Sequence, residues 1–302
     1  MIRSITPRQA LLVSVLAALL TISIKGAAWR LTGSVGYLSD ALESLVNLAG
    51  ATFALIMVTY AHRPPDDDHP FGHGKAEYFS AAFEGGLIFI AALAILAAAI
   101  ERLINPRELG DLGLGTLLSI LATVLNLLVA RLLFRVGREH RSIALEADAR
   151  HLMTDVWTTI GVILGVALAS LSGLGWLDPL VAIVVAVNIL REGWHLMYRA
   201  VNGLMDRALS DEQVLQIEAI LNSYSEQHGA RFLNLRTREA GARQFAQVDV
   251  RVPGDWSVTR AHDLADAVER EVKASTHTLL STHIEPMSAH PERDSLPATR
   301  QP

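Results

Sequence analysis

The 302-residue chain has no cysteine, which excludes disulfides, thiolate metal sites and cysteine nucleophiles. It is also poor in charge: Asp, Glu, Lys and Arg make up 19% of it, against 51% hydrophobic residues and a mean hydropathy of +0.31. A soluble domain of this length carries more charge and less apolar surface. The formal net charge of -5 offers no basic surface for nucleic acid, so none is expected as a partner. Any metal site must draw on histidine, carboxylates, amides and backbone oxygens. Neither an HExxH pair nor a nucleophile elbow occurs in the apolar stretches, so no enzyme and no organic cofactor are expected.

Long apolar runs take the place of charge. A helix crossing the hydrocarbon core needs about 20 mostly apolar residues. Six stretches qualify: 9–30, 36–60, 79–100, 112–134, 143–171 and 177–198. They are separated at 32–35, 62–74, 102–111, 135–141 and 172–176. The first follows Arg3 and Arg8 as a signal peptide would. It is long, however, has no small-x-small cleavage site, and precedes five more spans. Lipid is therefore an expected partner, and residues 1–205 are expected to form a six-helix transmembrane domain. Arg3, Arg8, Arg63, Lys75, Arg135, Arg138, Arg141, Arg199 and Arg207 lie on one side of such a bundle. Positive charge on that side predicts cytoplasmic termini and a cytoplasmic Asp/His-rich loop. A bacterial inner-membrane location is expected.

The periodicity changes after Asp206. Residues 211–227 and 258–275 repeat as amphipathic helices, and 232–237, 244–252 and 279–284 alternate like strands. The order αββαβ predicts a ferredoxin-like α+β layer over 206–287. Residues 288–302 are polar and proline-punctuated, the composition of a disordered tail.

Ionisable residues at membrane depth are costly and mark function. Stretch two carries Asp40, Glu43 and Asn47; stretch five carries His151 and Asp155. Glu43 with Asn47, and His151 with Asp155, are spaced i,i+4 and so stack on one helix face. Brought together, the two faces offer four ligands, enough for a tetrahedral ion. The alternative is that each polar residue is satisfied separately by a neighbouring helix or water. Asp40, nearer the outer end, is either a vestibule residue or a solvated helix-end carboxylate. Glu84 reads as a local structural residue, and Gly161 with Gly165 makes a GxxxG step. The loop Asp66-Asp67-Asp68-His69-Pro70-Phe71-Gly72-His73-Gly74-Lys75 is the densest ligand segment. Its chemistry suits Zn, Mn, Fe, Co or Ni, unless it is only an acidic solvated turn.

LSDALESLVN (38–47), DDDHPFGHGKAE (66–77) and His151-x-x-x-Asp155 together resemble the cation diffusion facilitator transporters of the ferrous-iron and zinc efflux type. The resemblance runs from the first helix to about Pro286. It implies a homodimer that exchanges a divalent cation, zinc favoured, for protons. It places Glu43, Asn47, His151 and Asp155 at the transport site and Asp66, His69 and His73 at a loop metal site. Glu43 and Asn47 depart from the zinc pattern, which has Asp or His and then Asp. In the cytoplasmic domain, His262, His283 and Glu285 match positions of a paired-metal site, with Asp249 replacing another ligand. Leu233 stands where zinc members have His, so the ion there would be a regulator held by an incomplete set. Lys75 and Asp206 match a charge pair that joins the two subunits. The competing reading is a membrane metal sensor or scaffold that does not transport.

Overall fold

The computed structural model describes residues 5–32, 35–105, 114–172, 174 and 176–287. The side chains of Asp40 and Glu43, the packing at Gly165 and the tail 288–302 lie outside the described residues. The chain divides into two units, Met1–Asn202 and Gly203–Pro302.

The first unit holds six long helices: α1 (Pro7–Thr32), α2 (Val35–Ala61), α3 (Ala76–Ile104), α4 (Leu114–His140), α5 (Ile143–Ser172) and α6 (Leu177–Leu204). Among the described residues, five of them are long and apolar enough to cross a membrane: all but α5. At 30 residues α5 also has the length, and part of its apolar second half lies outside the described residues. It packs on α4, α3 and α2. Leu11, Ala54, Val58, Leu133, Leu145 and Leu152 form the core shared by α1, α2, α4 and α5. The outward faces expose Leu16, Ile90, Val184 and Trp194, a surface suited to lipid. This is a polytopic helical membrane domain.

Two boundaries differ from the sequence expectation. Helix α4 runs through the Arg135–Arg138 segment to His140, so the expected 4–5 loop shrinks to a turn at Arg141 and Ser142. Leu133 and Val136 are both buried, so the packed face outlasts the apolar run and carries the helix beyond the hydrocarbon. Helix α6 continues past 198 for the same reason, with Leu196 and Ala200 buried. Glycines set close approaches: a Cβ on Gly85 would lie 3.2 Å from the Gly193 carbonyl oxygen, and one on Gly161 would lie 2.9 Å from Val185.

The second unit is α7 (Asp211–His228), β1 (Arg231–Ala240), β2 (Arg243–Val252), α8 (Val258–Thr276) and β3 (Thr278–Pro286), the expected αββαβ order. Strands β1 and β2 pair antiparallel, β2 and β3 parallel, in the order β1-β2-β3. The even-numbered residues of β2 (Ala246, Val248, Val250, Val252) pack with Ile217, Leu264 and Val268 of the helices. One sheet face is thus covered and the other left open. Ser210 and Gln213 form a capping box at α7, and Gly229, at φ 71, closes its other end.

Candidate metal transport site

The i,i+4 spacing in α5 and the packing of α2 on α5 bring Asn47, His151 and Asp155 together. All three are buried. Asn47 Nδ2 donates to Asp155 Oδ2, and Asn47 Oδ1 lies 2.6 Å from His151 Nε2. A second amide, Asn126 of α4, donates to the same Asp155 Oδ2 at 3.0 Å. Two neutral donors on one carboxylate oxygen stabilise its charge without cancelling it. The Asp155 carbonyl accepts from Thr158 and Thr159, each at 2.9 Å. The Asp155 carboxylate itself is held by amides from α2 and α4. Glu43 is two turns into α2; its side chain is outside the described residues.

Asn126 did not emerge from the sequence, although a lone amide inside ATVLNLLVA is the signal that would have found it. Glu84 departs from the expected local structural role. It is 0% exposed, neither of its carboxylate oxygens has a hydrogen-bond partner among the described residues, and Oε2 lies 3.6 Å from His151 Nδ1. A residue that only tied the local fold would make hydrogen bonds. That task falls instead to Glu77, which accepts from Ser142 at 2.6 Å, and to Arg199 paired with Glu146 at 3.1 Å.

The loop between α2 and α3 forms a compact second cluster. Asp66, His69 and His73 each offer a ligand atom, all within 4.8 Å of one another. Asp66 Oδ1 lies 3.1 Å from His69 Nδ1, and Oδ2 lies 3.2 Å from His73 Nε2. The turn is drawn tight by Gly72, at φ 81, whose amide donates to the His69 carbonyl at 2.8 Å. Desolvation pushes the Asp66 carboxyl up, but hydrogen bonds from the His69 amide and ring and the charges of His73 and His69 outweigh it. The carboxyl is held below its ordinary value. Two imidazoles and a carboxylate at this spacing fit a divalent transition-metal ion. Among the described residues, no other three histidine or acidic side chains gather this closely.

The cytoplasmic-domain residues are divided. Asp249 and His283 are register partners on β2 and β3, as are Arg251 and Glu285. All four lie on the open face, since the even-numbered β2 residues face the helices. Asp249 accepts from Asn234 at 2.8 Å and Glu285 from Arg251 at 3.1 Å. His262 stands on α8, 3.8 Å from Asp266, in the helix layer on the other side of the sheet. Asp206, at φ 58, pairs with Arg238 at 3.1 Å, and Lys75 heads α3 in the first unit.

The family model for the cation efflux transmembrane domain matches residues 11–205, and that for the cation efflux protein cytoplasmic domain matches 209–287. The chain is 48% identical over 275 residues to the uncharacterized transporter sll1263 of Synechocystis, covering 91% of this chain and 88% of that one. It is 35% identical over 267 residues to the cation-efflux pump FieF of Escherichia fergusonii (88% and 87% covered). The corresponding pump of Shigella flexneri is 34% identical over the same length and coverage. Both matched domains, and relatives aligned along most of their length, establish that the chain belongs to the cation efflux, or cation diffusion facilitator, family of membrane transporters.

Proposed function

We propose that this chain exports a divalent transition-metal cation, zinc favoured, in exchange for protons, working as a homodimer in a bacterial inner membrane with both termini cytoplasmic. The observation that carries the reading is the buried Asn47–His151–Asp155 constellation between α2 and α5. With Glu43 it makes a four-ligand set for the cation. The name of the relatives, cation-efflux pump, supports the direction of transport.

The chemistry follows from the donor set. A cation must displace the hydrogen bonds that the ligands make to one another, and it binds only deprotonated donors, so protons compete for the same positions. Asn126 holds Asp155 in place while Asn47 lets go of both Asp155 and His151. Loading from a neutral cytoplasm and exchange for protons on the far side then follow if α2 and α5 open alternately to the two faces. Asp40, nearer the outer end of α2, belongs to the exit path. Asp66, His69 and His73 would hold a second ion at the loop. Asp249, His262, His283 and Glu285 would hold a regulatory ion only with a partner subunit, because one chain divides them between two sides of the sheet. Lys75 and Asp206 would pair at the dimer seam.

The test is a panel of Zn, Fe(II), Co, Ni and Mn in proteoliposomes, reading metal accumulation and internal pH together. Asp155→Ala should reduce metal-driven proton flux at least 100-fold while the protein stays folded and dimeric. Unchanged flux in that variant refutes the site. Binding without accumulation in the parent identifies a sensor instead.

A further inference from the structure

The tautomer of His151 follows from its neighbours. An ionised Asp155 only accepts, so the Asn47 group facing it is the amide nitrogen, which turns Asn47 Oδ1 toward His151 Nε2 at 2.6 Å. That oxygen also only accepts, so Nε2 carries the proton. The neutral ring then has its lone pair on Nδ1, and Nδ1 has no hydrogen-bond partner among the described residues. The ring nitrogen able to bind a cation therefore faces away from Asn47 and Asp155. It faces Glu84.

Glu84 sits in a space kept for it. A Cβ on Gly50 of α2 would lie 2.4 Å from Oε1 and 3.1 Å from Oε2, so a glycine there is what leaves room for the carboxylate. A fully buried carboxylate with neither oxygen bonded stays ionised only beside a charged partner. The 3.6 Å between Oε2 and Nδ1 is close to the roughly 3.4 Å that separates two ligands each about 2.1 Å from a tetrahedral ion. Asp148, three residues before His151 and so on the same side of α5, is also buried with Oδ2 unpartnered. Glu84 and His151 both stand eight residues beyond the first residue of their helices. This places them about one helical turn nearer the 62–75 loop than Asp155.

We propose that Glu84 and His151 Nδ1, with Asp148 beside them, form an intake station for the transported divalent cation. The cation passes from there to the Glu43–Asn47–His151–Asp155 set on Nε2 of the same ring, the Nε2 proton leaving as the cation arrives and the vacated Nδ1 taking one up. This rests on the transport reading given above.

The test uses the full chain with cobalt(II) as the probe, on a background in which His69, His73, His262 and His283 are replaced by alanine. Asp155→Ala on that background should still bind one cobalt ion, with an absorption spectrum showing nitrogen ligation. Adding Glu84→Gln should abolish it, and Glu84→Asp should retain it at lower affinity. In otherwise unmodified protein, Glu84→Gln should cut zinc flux at least tenfold with melting temperature unchanged, and Gly50→Ala should reproduce that loss by displacing the carboxylate. Parent-like flux in Glu84→Gln, or no cobalt bound by Asp155→Ala when the background protein binds one, overturns the station and leaves the transport reading standing. Absence of flux in the parent for every metal overturns both.

Discussion

The two units of the chain treat buried polar atoms differently. In the first, Ser14 Oγ, His73 Nδ1, Ser80 Oγ, both oxygens of Glu84, Asp148 Oδ2, Arg150 Nε and His151 Nδ1 are buried without a hydrogen-bond partner. In the second, no such atom occurs among the described residues. There the buried Thr276 hydroxyl donates to the Val272 carbonyl at 2.7 Å, and Thr278 lies 3.5 Å from Gln244 Oε1. Unsatisfied buried groups cost about 1–3 kcal/mol each, so a fold keeps them only where something else uses them. Four of those atoms, on Glu84, Asp148 and His151, belong to the proposed intake station, and a fifth, on His73, belongs to the loop cluster. On the proposed reading the membrane unit leaves these donors for a cargo, while the soluble unit pairs its buried side chains internally.

That contrast can be broken at three places. Val268 is fully buried between α8 and the sheet. Val268→Ala should cost about 2 kcal/mol, read as faster hydrogen exchange of β2 and α8 amides in the full chain, with apparent cation affinity unchanged. A shift in affinity instead would show that the two units are not separate in this sense. Asn126→Ala removes one of the two amides on Asp155. About tenfold weaker cation affinity is expected, the low end for a residue orienting a ligand, with no loss of thermal stability. A destabilised variant that transports normally would make Asn126 a packing residue. The smallest effect belongs to Ser210→Ala, which removes the capping box of α7. About 1 kcal/mol of local stability should go, seen as fraying at Asp211–Gln213 in exchange experiments, with flux intact.

The pattern of what was legible follows the range of each interaction. Span lengths, the αββαβ order and the i,i+4 ligand pairs depend on neighbours within about two helical turns, and these appear in the apolar periodicity directly. Helix ends were less visible, because α4 and α6 run on as packed amphipathic helices after their apolar runs stop. The contacts of Asn126 with Asp155 and of Glu84 with His151 were not legible. Asn126 and Glu84 are each a single polar residue in an apolar run, with no partner at helical spacing to mark it.

By itself the sequence determined that cysteine chemistry is absent, that several helices are apolar enough for a membrane, and that the candidate ligands fall on α2, α5 and the loop between α2 and α3. These follow from composition and from the fixed 3.6-residue turn of a helix. Only the tertiary structure decided which atoms face one another. Asn126 reaches Asp155 because α4 packs on α5, and Glu84 reaches His151 because Gly50 leaves it room. Asp249 and His283 share an open sheet face while His262 stands behind it. Such contacts depend on rotation and depth between helices distant in the chain, which no local pattern encodes.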